Sequence, residues 1–140
     1  MKTQFLILLG MIWMHIFDDF VLQPICLSKL KQKDFWEETF KDNPKYLHHY
    51  RNDYKMALFI HALSWTISIF IIPLLFYCNK IFNDINGMIL VISLILMNMY
   101  IHYRIDDMKA NKKYITLIFD QIVHLLQIIL LWVILCCLEV

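Results

Sequence analysis

The chain has 140 residues, 60% of them hydrophobic, with two glycines, three prolines and a formal net charge of +1. Its mean hydropathy of +0.56 exceeds what a soluble domain with a polar surface tolerates. The composition therefore excludes an ordinary soluble fold and predicts an integral membrane protein.

Four apolar stretches follow in order, at about residues 4–25, 56–78, 86–103 and 114–138, each near the ~20 residues a helix needs to cross a ~30 Å hydrocarbon core. They predict one all-α transmembrane domain over 1–140, an integral membrane four-helix bundle whose backbone polar groups are satisfied within each helix. Lys2 precedes the first stretch as in a secretory signal. No small-x-small cleavage site follows, however, and Leu22-Gln23-Pro24-Ile25-Cys26 lacks the small residues expected before a lipidated cysteine, so the stretch reads as helix one. Cys26, Cys78, Cys136 and Cys137 fall near helix ends without C-x-x-C spacing, which points to buried or lipid-facing thiols rather than a redox pair or thiolate zinc site.

The connection 27–55 carries Lys29, Lys31, Lys33, Lys41, Lys45, Arg51 and Lys55, and the third connection carries Arg104, Lys109, Lys112 and Lys113. Only Lys2 and Lys80 lie on the other side, so the positive-inside rule places these two connections in the cytoplasm and both termini outside. The first connection interleaves Phe35, Trp36, Phe40, Tyr46 and Tyr50 with cations, which suits a segment lying on an anionic inner leaflet. It reads either as a lid over the bundle or as a solvated loop with aromatic anchors. His48 and His49 lie in it but, being adjacent, point in different directions.

Seven ionisable residues interrupt the apolar stretches: His15, Asp19, His61, His102, Asp106, Asp120 and His124. Each costs roughly 2.5–3.5 kcal/mol if turned to lipid, so they are expected to converge on a protected site. With the orientation above, all seven fall in the cytoplasmic half, while the outer half reads Leu, Ile and Phe. At ~100° per residue His15, Asp19 and Gln23 share one face, Asn98, His102, Asp106 and Lys109 a second, Asp120, His124 and Gln127 a third, and His61, Ser64 and Ser68 a fourth. Four such faces turned inward predict a polar chamber open to the cytoplasm. Asp18, ~60° from His15 on the side away from Asp19, reads either as a residue orienting the site or as a helix-packing residue.

Imidazole and carboxylate at i and i+4 aim at one point and suit zinc, manganese or iron, and bundle cores hold metals with ligands from facing helices. A metal with an open position lowers the pKa of bound water toward ~7, which suits hydrolysis of a phosphoryl or acyl group. Two other readings stay open: a proton or solute pathway, and polar side chains that bond the helices together. His15, Asp19, His102, Asp106, Asp120 and His124 are the candidate ligands for one or two divalent ions, zinc first, with manganese or iron as alternatives. His61, which lacks an i+4 partner, is the candidate base, with Asp19 beside it in catalysis. Gln23, Asn98 and Gln121 are candidates to orient the ligands, and Lys29 and Lys109 to attract a phosphate.

The set His15-Ile-Phe-Asp-Asp19-Phe20-Val-Leu-Gln23, Lys29, His61, His102-x-x-x-Asp106-x-x-Lys109 and Phe119-Asp120-Gln121-x-x-His124 resembles a domain-of-unknown-function family of small bacterial and phage membrane proteins. More distantly the chain is similar to the bacterial membrane-bound metal-dependent hydrolases. That resemblance implies a metal-dependent hydrolase in the bacterial inner membrane. The expected substrate is a phosphorylated lipid or nucleotide-like molecule at the cytoplasmic leaflet. Membrane lipids are the expected partners, self-association into a homo-oligomer fits as well, and no nucleic acid is expected. The alternatives are a small proton-coupled transporter, disfavoured by outer halves that lack ionisable residues and carry only Pro73 as a helix breaker, and a non-catalytic phage or bacterial membrane interaction protein.

Overall fold

A computed structural model describes residues 2–82 and 85–137, and the side chains of all of these except 78–82. The Cys78 thiol, the Lys80 charge and both chain termini therefore lie outside the described residues, as does residue 138 at the end of the fourth apolar stretch. Every described element is helical. Four segments are long and apolar enough to cross a membrane: Lys2–Leu22, Pro44–Tyr77, Ile85–Ala110 and Leu117–Cys137.

Helix α1 (Lys2–Phe17) buries Ile7, Met11 and His15, a one-face spacing, and then widens into a π turn over Asp18–Leu22. Pro24 ends it, since the residue before a proline is pushed to extended backbone, which Gln23 adopts at φ −83°, ψ 97°. Three short helices occupy the predicted first connection: α2 (Ile25–Leu30), α3 (Lys33–Thr39) and α4 (Pro44–Tyr50). The last is capped by the Asn43 side chain, which accepts from the Tyr46 N–H at 3.3 Å, with Pro44 at the first position, where its missing N–H costs nothing.

The long helices are α5 (Asp53–Phe82), α6 (Ile85–Ala110) and α7 (Leu117–Cys137). Helices α5 and α6 both outrun their apolar stretches, because hydropathy marks where apolar surroundings end, whereas a helix continues until a cap or breaker stops it. Asp106 and Lys109 are thus held on α6 rather than in a connection.

The long helices form a closed ring, α1 on α5, α5 on α6, α6 on α7 and α7 on α1. Each neighbouring pair is antiparallel: Gln4 meets Tyr77 at one end of α1 and α5, and Asp18 meets Ser64 toward the other. One half of the ring is filled by Ile7, Met11, Ile69, Phe70, Val91, Leu94, Ile128, Leu131 and Leu135. The other half is filled by histidines and aspartates. Outside, large apolar side chains stand exposed on all four long helices, among them Phe5, Leu9, Trp13, Ile67, Leu75, Ile92, Leu96, Leu126 and Leu130. An exposed apolar surface of that extent around a polar interior calls for an apolar surrounding.

Candidate metal centre

The first connection does more than link two helices. Asn111, just past α6, accepts the Lys33 N–H at 2.6 Å and donates to the Lys31 carbonyl at 3.1 Å and to Asp107 Oδ1 at 2.9 Å. Lys113 adds an ion pair with Asp34 at 2.8 Å, which holds the Asp34 carboxyl below its ordinary range. These bonds fasten the α2–α3 corner against the end of α6 and turn Lys31 inward. Its ammonium, buried to 4% exposure, donates to Asp106 Oδ2 at 2.7 Å and to Gln23 Oε1 at 3.3 Å. The aromatics of this segment pack mainly on one another, Phe40 stacking on Tyr50 at 5.3 Å and on Trp36 at 6.3 Å.

At the start of the π turn two consecutive carboxylates both reach partners on neighbouring helices. On a regular helix Asp18 and Asp19 would diverge by ~100°. Asp18 meets Ser64 and Ser68, which donate to its Oδ1 at 2.7 and 3.0 Å, and Asp19 meets Gln121, which donates at 3.1 Å. His61 lies between them: its Nδ1 is 3.8 Å from Asp18 Oδ2 and its Nε2 3.5 Å from Asp19 Oδ1. The same Nε2 is 3.4 Å from Asp106 Oδ2.

Deeper, Trp65 stacks on His102 at 4.2 Å and donates its Nε1–H to His15 Nδ1 at 2.7 Å. His102 in turn packs against His124, with ring centroids 4.1 Å apart and tilted by 30°. His124 Nε2 faces Asp106 Oδ1 at 3.5 Å and Asp120 Oδ1 at 3.4 Å, while its Nδ1 pairs with Gln127 Oε1 at 3.1 Å. Gln127 is itself held by the Asn98 carbonyl, 3.3 Å away. Lys109 pairs with Asp120 Oδ2 at 2.5 Å and approaches Asp106 Oδ1 at 3.6 Å.

Two groups of three residues bring ligand atoms within 4.8 Å of one another: Asp19, His61 and His102, and His102, Asp106 and His124. These buried groups could hold a metal ion. Neither ring nitrogen of His102 has a hydrogen-bond partner although the residue is wholly buried, and Asp19 Oδ1, Asp120 Oδ1 and His124 Nε2 are likewise unpartnered. An unpaired buried polar atom costs about 1–3 kcal/mol, so a cluster of them at ligand spacing fits a cation that would engage them. Charge agrees. With carboxylates ionised and imidazoles neutral, Asp18, Asp19, Asp106 and Asp120 outweigh Lys31 and Lys109 by two negative charges, which one divalent ion balances. Asp106 suits a ligand in particular, because Lys31 fixes one of its oxygens and leaves the other toward His102 and His124.

Of the ligands expected from spacing, His102, Asp106, His124 and Asp19 thus fall into these groups, and the expected base, His61, joins one of them. His15 and Asp120 lie alongside: His15 Nδ1 is occupied by Trp65, and Asp120 Oδ2 by Lys109 and by Gln121 at 3.2 Å. Gln121 bonds two carboxylates, and Gln23 holds Lys31. Asn98 bonds Leu94 within its own helix at 2.9 Å and reaches the site only through Gln127. Lys29 is exposed and does not enter it. Lys31, Trp65 and Gln127 lie in the cluster without having been singled out as site residues, and Asp18 lies beside His61, 3.8 Å from its Nδ1.

Above the cluster opens a cavity of about 450 Å³ whose floor includes Asp19 and His61 and whose walls carry Lys31, Lys109 and Lys113. His102, Asp106 and His124 lie behind that floor. Compared with known proteins, the chain matches no protein-family model, no curated protein and no solved structure.

Proposed function

We propose that the protein is a membrane-embedded, metal-dependent hydrolase that cleaves a phosphoryl bond at the cytoplasmic leaflet of a bacterial inner membrane. The observation that carries this reading is His102, wholly buried, unpartnered at both nitrogens and common to both candidate ligand groups, directly behind a lysine-walled cavity. The basic residues of the two connections support the cytoplasmic placement.

Burial separates two roles. His102, Asp106 and His124 stand behind the cavity floor as ligands, with Gln127 and Lys31 orienting two of them. A divalent ion held there, zinc by the histidine-rich donor set, supplies Lewis-acid polarisation of a phosphoryl oxygen and lowers the pKa of water. Asp19 and His61 face the cavity, where substrate arrives. In this scheme the oxygen of a water molecule bonds to phosphorus while the bond from phosphorus to the leaving oxygen breaks. His61 accepts the water's proton and returns it to the leaving oxygen, and Asp18 at 3.8 Å from Nδ1 steadies the charged imidazole between those events. Lys109 and Lys113, paired with Asp120 and Asp34, keep further N–H donors for the phosphate oxygens.

A proton pathway would also balance the two excess charges, but the packed apolar half bars access from the other side. The test is phosphate release by metal-loaded protein in phospholipid vesicles containing phosphatidic acid, compared with His61→Gln. The substitution should keep metal and fold and lower turnover by about 10²–10⁴-fold, the usual contribution of a general base. Loss of metal in that variant would make His61 a ligand, and unchanged turnover would remove it from the reaction.

A further inference from the structure

The cavity has one wall unlike the others. Lys31, Lys109 and Lys113 line it together with Gln23, Gln32 and Gln121, yet at the π turn and the start of α7 it is bounded by Phe20 and Leu117. Both side chains are also exposed on the outer surface, at 62% and 56%, next to exposed Val21 and Ile118. Phe20 follows the two inward carboxylates within the π turn and lies at the rim. Lys113 holds its place in the lining with φ 56°, a left-handed backbone that lysine seldom adopts and that marks a position fixed by its surroundings.

We infer that this cavity is a slot for a phosphorylated amphiphile, its phosphate among Lys31, Lys109 and Lys113 and its apolar chain leaving sideways over Phe20 and Leu117. The inference rests on the phosphoryl-hydrolase reading and narrows its substrate to a lipid. Each of the three ammonium groups is held by a carboxylate, Lys31 by Asp106, Lys109 by Asp120 and Lys113 by Asp34, and an ammonium carries three donors, so N–H groups not used in those pairs can turn to a phosphomonoester in the opening. A fully water-soluble phosphate would leave Phe20 and Leu117 unmatched, whereas an acyl chain covers both and continues onto the apolar outer face of the bundle. Asp19 and His61, on the cavity floor, then stand next to the bound phosphate.

The test uses full-length protein in phosphatidylcholine nanodiscs, titrated calorimetrically with dihexanoyl phosphatidic acid, glycerol 3-phosphate and inorganic phosphate. Empty discs serve as reference, and metal content is measured on the same sample. Burying two or three methylenes against Phe20 and Leu117 should make the short-chain lipid bind at least about tenfold tighter than glycerol 3-phosphate. Phe20→Ser with Leu117→Ser should narrow that preference to under about threefold, and because both side chains are exposed the helix content should not change. If the double variant fails to fold, the wild-type ratio decides alone. Equal affinity for the lipid and glycerol 3-phosphate would overturn the slot, as would binding of none of the three by a metal-loaded sample, and either result leaves the hydrolase reading standing. Preferential lipid binding by a sample that takes up no metal would uphold the slot and sink the hydrolase reading.

Discussion

The bundle contains two polar nodes, a half-buried one at one end and a buried one at the other, and they are built differently. At the apolar end Gln4 Oε1 accepts from the Tyr77 hydroxyl and from Cys136 at 3.2 Å, and the Gln4 carbonyl accepts from Trp132 Nε1 at 2.9 Å. That node is neutral and joins α1, α5 and α7 through these bonds. At the other end four carboxylates and four imidazoles share two ammonium groups. Among the described residues, five of the six buried side-chain polar atoms without a partner belong to that cluster, and Thr66 Oγ1 is the sixth. Polar groups that serve only to join helices can be satisfied by neighbours, as around Gln4. The cluster instead keeps unsatisfied atoms at ligand spacing, where a metal ion could engage them.

The comparison can be broken most decisively at Asp106. Asp106→Ala removes a candidate ligand and leaves the buried Lys31 ammonium uncompensated, so it should lower stability by about 3–5 kcal/mol and abolish metal uptake. Unfolding by denaturant and elemental analysis measure the two effects. If Lys31→Met in the same background restores stability without restoring metal, the two roles of Asp106 are separated.

Next in size is the Asp18 support. Ser64→Ala with Ser68→Ala strips both hydroxyl donors from a buried carboxylate and should cost about 1.5–3 kcal/mol, with turnover reduced and metal retained. Metal loss in that variant would mean that Asp18 belongs to the ligand set. The far node should respond least. Tyr77→Phe is expected to cost about 0.6 kcal/mol, typical of an interhelical hydrogen bond in a membrane protein, and to leave metal content and turnover unchanged. A metal-dependent stability change there would erase the distinction between the two ends.

Much of the cluster could be read from spacing, because i and i+4 on a helix share a face whatever the tertiary structure. The histidines and aspartates at 15, 19, 102, 106, 120 and 124 follow that rule, and their common depth followed from the distribution of lysines. Trp65 stands at i+4 from His61, so the same rule reached it, but an aromatic on an apolar helix is normally packing and nothing in its neighbours marked it. Asp18 carried a subtler sign. At ~60° from His15 it lay within reach of the polar face, but choosing between an orienting and a packing role needed Ser64 and Ser68, which stand on another helix. Lys31 was not legible: seven cations share its connection, and only the anchoring of the α2–α3 corner by Asn111 singles it out. The three short helices of that connection were hidden for a related reason, since their aromatics and charges show no single apolar face.

The most direct test of the metal centre is elemental analysis of protein purified without chelator, alongside His102→Ala. The expected result is about one divalent ion per chain in the wild type, extracted by chelator with a fall in thermal stability, and none in the variant, which retains its helix content. Wild-type protein that carries no ion, takes none up from zinc, manganese or iron, and is equally stable with and without chelator would contradict it.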